Sequence, residues 1–107
     1  MKVNPTRILW ADPTQFTDGS AFGASDFKAY ELGIGDGSGN VSALLALPVA
    51  FGVGESPIPT AVSDVTGAVQ WIHMRTLDNY GRMSDWSNGV DVRFTSAPFP
   101  PSGLEAG

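Results

Sequence analysis

His73 is the only imidazole of the chain, and it stands between Ile72 and Met74 in an alternating stretch. A general base needs a reacting partner and an orienting group within reach. No Gly-x-Ser-x-Gly element supplies a nucleophile. With no cysteine in the chain, one histidine does not make a zinc site. The simple reading is an outward-facing strand residue. Asp36-Gly37-Ser38-Gly39-Asn40 offers oxygens at alternate positions, as a calcium loop does. That loop wants Gly in its sixth place and Glu in its twelfth, and Val41 and Leu47 stand there. It reads as a turn, and so does Asp18-Gly19-Ser20. Gly33, Gly35, Gly37 and Gly39 are not a dinucleotide fingerprint, because no helix follows to present its N-terminus to a phosphate. Asn40-Val41-Ser42 matches a glycosylation sequon by chance, since no secretory signal accompanies it. The eleven carboxylates allow accidental pairs, but glycoside hydrolysis needs two acids about 5–10 Å apart across a cleft. A small domain seldom forms one. No catalytic, cofactor-binding or metal residue is assigned, and the expectation is a protein that is not an enzyme.

What positions these residues is a pair of strands. In Gln70–Phe94, Ile72, Met74 and Thr76 fall on one side, and Trp71, His73, Arg75 and Leu77 on the other. A period of two means a strand with one packed face. Asp78, Asn79, Gly81, Ser84, Asp85, Ser87 and Asn88 then form a polar loop of turn-favouring residues. Alternation resumes with Val90, Val92 and Phe94 one way, Asp91 and Arg93 the other. Thirteen Gly and eight Pro suit many turns and few helices. Strands are expected near 6–11, 27–34, 41–51, 58–63, 69–77 and 89–96. Trp10, Tyr30, Leu32, Ile72, Met74, Val90 and Val92 are the expected core.

Arg75-Thr76-Leu77-Asp78-Asn79-Tyr80-Gly81 followed by Ser84-Asp85-Trp86-Ser87-Asn88 resembles the last two strands of a fibronectin type III domain. Ile8-Leu9-Trp10 with Asp12-Pro13 resembles its second strand. Thr14–Ser20 is similar to the long loop of bacterial and phage versions, and Phe27–Leu32 to the third strand. The resemblance spans residues 6 to 96. It implies an all-β fold, an antiparallel immunoglobulin-like β-sandwich over residues 1–96, with a Pro/Gly-rich tail at 97–107. Two departures stand out. Gln70 occupies the place of the corner tyrosine, and Val62 or Val65 that of the corner leucine. Strand A is absent before Trp10, yet Pro98-Phe-Pro-Pro-Ser-Gly-Leu-Glu-Ala resembles the opening of such a domain. The tail could therefore supply strand A, to its own domain or to a neighbouring copy, or remain an unpaired terminus.

A net charge of −5 with six scattered basic residues excludes a phosphate-tracking surface, so nucleic acid is not an expected partner. The start, Met-Lys-Val-Asn-Pro, lacks the apolar stretch of a signal peptide, and no apolar run would insert in a membrane. Synthesis in a host cytoplasm is expected. The set Trp71, His73, Arg75 and Leu77 is apolar for a solvent face. It is either a contact surface, being rich in hot-spot residue types, or covered by a neighbouring segment of the chain. Phe22 and the Pro48–Val53 stretch add apolar surface, and Phe99 and Leu104 are candidate anchors in the tail. The resemblance implies a bacteriophage virion protein, decorating a capsid or associated with a tail. Its partners would be other virion proteins or copies of itself. The alternative is a glycan-binding module for cell-surface polysaccharide.

Overall fold

The structure, a computed structural model, describes residues 1–107 except for the side chain of Ala43. In chain order the elements are β1 (Lys2–Val3), β2 (Arg7–Leu9), β3 (Phe27–Gly35), β4 (Val41–Leu47), β5 (Glu55–Pro57), α1 (Thr60–Ser63), β6 (Val69–Asp78) and β7 (Val90–Arg93). They form a five-stranded sheet in the order β1-β7-β6-β3-β4 and a two-stranded sheet β2-β5. The larger sheet is mixed: β1 runs parallel to β7, and the other neighbours are antiparallel.

The alternation read from β6 sets the two faces. Cross-strand partners share a face, so Ile72 lies beside Ile34 and Val90, and Met74 beside Leu32. The core gathers on this inner face from Tyr30, Leu32, Leu47, Ile72 and Val92, with Val62 of α1 and Phe94. Ile8 and Trp10, at the smaller sheet, pack against it. Asp12 knits this end together: its carboxylate accepts from Trp10 Nε1, the Tyr30 hydroxyl and the Gly52 amide. Burial first, and this acidic partner second, push the Tyr30 hydroxyl well above its ordinary pKa.

Four expectations need correction. The strand expected at 58–63 is one turn of helix, and the strand of that region is β5 at 55–57. Pro57 and Pro59 remove ladder donors there, and Pro59 stands at the N-cap of α1, where proline's fixed φ suits a helix start. The sandwich was expected to be antiparallel throughout, but β1 adds a parallel edge to β7. The C-terminal tail supplies no strand to its own domain: residues 94–107 pair with nothing as strand or helix. Val90 is the one expected core residue that stays 45% exposed. Gln70, in contrast, ties the start of β6 to α1 and the residues after it. It is buried, and its amide donates to the Val62 and Val65 carbonyls at 2.9 and 3.3 Å.

Candidate binding surfaces

The outer face of β6 carries Trp71, His73, Arg75 and Leu77, as the alternation requires, and the β6–β7 loop folds back over it. Ser84 and Ser87 do the anchoring. Each offers its amide to a β6 carbonyl, of Thr76 at 2.9 Å and of Met74 at 2.8 Å. Each hydroxyl accepts the amide of the same residue, at 2.9 and 3.0 Å. Two serines three residues apart thus continue the ladder where β7 stops. Trp86 between them is turned over the face, with the Arg75 guanidinium 4.2 Å from its ring centroid. Arg75 is held from the other side by Glu31, which accepts from its Nε at 2.7 Å.

Glycines on β3 make room for this cover. A Cβ on Gly33 would lie 2.9 Å from the Trp86 ring, and one on Gly35 3.4 Å from His73 Nε2. His73 is 8% exposed beneath the loop, not outward to solvent as its strand position suggested. Its Nδ1 donates to the Ser87 carbonyl at 3.0 Å, and Nε2 has no partner among the described residues. The indole of Trp71 is capped by the Asp36–Asn40 turn, where a Cβ on Gly37 would meet Nε1 at 2.6 Å. Trp71, His73 and Arg75 therefore meet their own chain first. Leu77 is half-buried, and Phe99 and Leu104 lie apart from this face at 97% and 95% exposure.

Beyond the loop's base lies a cleft of about 730 Å³ between residues 16–26 and 76–84. Its carboxylates are engaged, Asp18 and Asp78 within their own loops and Asp26 across the cleft. Asp78 accepts the Tyr80 and Arg82 amides and the Arg82 Nε. Burial alone would raise the Asp78 carboxyl, but those amides and the guanidinium outweigh it and hold it below the usual range. Asp26 accepts the Tyr80 hydroxyl and raises its pKa. The hydroxyl of Ser20, with its amide, lowers that of Asp18. Phe22 and Phe51, expected at the surface, instead stack in series with Phe16 and Phe27, at centroid distances of 5.1–6.0 Å.

The inner side is different. Between β2 and the β6–β7 pair a groove of about 500 Å³ opens, floored by Tyr30, Leu32, Ile72 and Met74, with Val90 and Trp10 at its sides. Alternation places Val90 inward with Val92, yet it stays 45% exposed. The edge of β2 that has no strand beside it belongs to this opening. Trp10 donates to Gly54 and Ile58 to Thr6, and Ile8 stands opposite Ser56 between them. These pairs take the ladder bonds toward β5, so the amides and carbonyls of Arg7 and Leu9 point the other way. The smaller sheet ends there. Sequence reasoning missed this groove. An unpaired edge was expected on the strand that carries Ile8 and Trp10, but not that Val90 would stand open beside it; β1 precedes that strand and pairs with β7 instead.

No protein-family model, curated protein or solved structure matches the chain. Among the described residues no group of three or more His, Asp or Glu side chains converges as a metal site. Nor, among the described residues, is any helix long and apolar enough to cross a membrane.

Proposed function

We propose that the chain is a fibronectin type III-like β-sandwich that acts as a non-enzymatic protein-interaction module, as a capsid-decorating or tail-associated subunit of a bacteriophage virion. The virion placement follows from the sequence resemblance. For the fold, the support is strand order. In immunoglobulin-like sandwiches strands C, F and G share one sheet and A, B and E the other. β3, β6 and β7 stand in the first set of places, and β2 and β5 in those of B and E.

The observation that carries the interaction reading is the unpaired β2 edge beside an apolar groove. An open edge presents backbone donors and acceptors to an extended chain, and an adjacent apolar groove takes its alternate side chains. Mass spectrometry of purified particles tests the virion assignment: the chain should appear at fixed copy number. Val90→Lys should keep its fold and be depleted from particles at least tenfold. A wild-type chain missing from particles, or a variant incorporated normally, overturns the reading.

Glycan binding has one specific place in its favour. The Tyr80 ring is 61% exposed at the mouth of the 730 Å³ cleft and is fixed there by Asp26. Retention on immobilised host polysaccharide, lost in Tyr80→Ala, would support that reading against the first.

A further inference from the structure

Resting on the interaction reading, we propose that the groove is filled by the C-terminal tail of a second copy of this chain, with Ser102–Ala106 pairing along β2 and Leu104 lying in the groove. The site is incomplete in one copy. An inward-facing valine, Val90, is left 45% exposed, and two rungs of β2, at Arg7 and Leu9, have no strand beside them.

The tail has the complementary deficiency. Leu104 is 95% exposed, and residues 96–107 form no strand or helix. Pro98, Pro100 and Pro101 have no amide hydrogen and hold the chain extended. The run after them, Ser102-Gly103-Leu104-Glu105-Ala106, has every amide free to enter a ladder. In a strand Leu104 would share a face with Ser102 and Ala106, and Glu105 would point away to water. Charge agrees: the chain carries −5, and the tail contributes a single charged side chain, Glu105. A tail can approach a like-charged copy with less repulsion than another sandwich face can.

The geometry at the tail's root favours a second copy over the tail's own groove. Asn4, at φ 52°, bonds to the Thr95 amide and hydroxyl at 3.0 and 2.9 Å, and its own amide donates to the Arg93 carbonyl. This clamp ties the root of the tail to β1, at the edge of the five-stranded sheet, while β2 belongs to the other sheet. The radius of gyration is 17.8 Å, against about 13 Å for a compact chain of this size. A head-to-tail contact of this kind is heterologous and builds rings or open chains.

Two full-length variants test the proposal. Leu104→Asp spoils the donor and leaves the groove; Val90→Lys spoils the groove and leaves the donor. Circular dichroism and thermal melts establish that both are folded. In sedimentation velocity the wild type should rise above monomer mass with concentration, and each variant alone should remain monomeric. An equimolar mixture should reach twice the monomer mass and stop, because it contains one working tail and one working groove per pair. A wild type that stays monomeric up to millimolar concentration overturns the proposal, and so does a mixture that stays at monomer mass. Should Leu104→Asp enter particles normally while Val90→Lys does not, the tail is the wrong occupant and the interaction reading survives. If Val90→Lys also enters normally, the interaction reading itself falls.

Discussion

The two faces of β6 end differently. On the outer face, His73 and Arg75 are covered by a segment of the same chain, the β6–β7 loop, and the Trp71 indole by the Asp36–Asn40 turn. On the inner face, Ile72 is closed over, and Val90, its cross-strand partner, is open. The difference lies in how the covering segments are tethered. The loop leaves β6 at Asp78 and rejoins at Val90, so both its ends are fixed and the entropy of closing it is modest. Ser84 and Ser87 then lock it to β6 with bonds on both backbone and hydroxyl. The segment that could cover the groove, residues 96–107, forms no strand or helix and is held at its root by the Asn4–Thr95 bonds, so its ordering is opposed by the full conformational entropy of the chain. A tethered cover is a structural part; an untethered one is available to another molecule.

The sharpest way to break this contrast compares two neighbours on one face. Ile72→Ala should destabilise the fold by about 2–5 kcal/mol in urea unfolding, as buried aliphatic truncations do. Val90→Ala should cost at most about 1 kcal/mol, because much of the side chain already meets water. Equal losses would mean that the groove is closed in solution, by the tail or by another copy. Repeating Val90→Ala at high protein concentration would then separate these, since only the second depends on concentration.

The outer cover should yield to a smaller change. Trp86→Ala removes a half-buried indole and its contact with Arg75, with an expected loss of about 2–3 kcal/mol. Histidine side-chain NMR should show His73 newly open to solvent. If His73 stays protected, the serine ladder alone seals the face. Gly33→Ala asks the converse. Its Cβ would meet the Val41 side chain and the Trp86 ring, and overpacking of that kind should cost about 1–2 kcal/mol. Gly33→Ala combined with Trp86→Ala should cost less than the sum, because the clash with the ring is removed and only that with Val41 remains.

Much of the all-β arrangement was legible because a period of two survives in β3, β6 and β7, where each strand has one packed face. The turns were legible from Gly, Asp and Ser. Three things were not. The 55–63 region holds two prolines close together, and alternation cannot show which side of Pro59 is strand and which is helix. The burial of His73 depends on a loop whose fold-back is set by hydrogen bonds from Ser84 and Ser87, long-range pairings that no local pattern carries. Val90 has the pattern of a core residue and is a core residue in direction; only the absence of a neighbouring strand leaves it open. Of the site residues named from sequence, Trp71, His73, Arg75 and Leu77 alternate along β6 as read, but their accessibility was decided elsewhere in the chain.

The smallest expected effect is acid loosening at the root of the loop. Asp78 is held below the ordinary carboxylate range in the fold by the Arg82 and Tyr80 amides and the Arg82 guanidinium, against the opposing pull of its burial. A carboxyl depressed in this way adds stability above its unfolded value, about 3.9, and that contribution is lost as pH falls through the lower folded value. Hydrogen exchange at the Tyr80 and Arg82 amides should therefore quicken below about pH 4 relative to the amides of β3 and β6. Asp78→Asn should lose this dependence while the neighbouring Asp18, lowered by Ser20, keeps its own. The carbonyl of the new side chain still accepts the Tyr80 and Arg82 amides, which share one oxygen of Asp78, so the variant should fold, and it loses only the bond to Arg82 Nε. Its loop should exchange faster at neutral pH than that of the wild type. If the exchange profile of Asp78→Asn follows the wild type through the acid range, the latch is carried by Ser84 and Ser87 alone. The outer cover would then be as indifferent to acid as the packed core beneath Ile72.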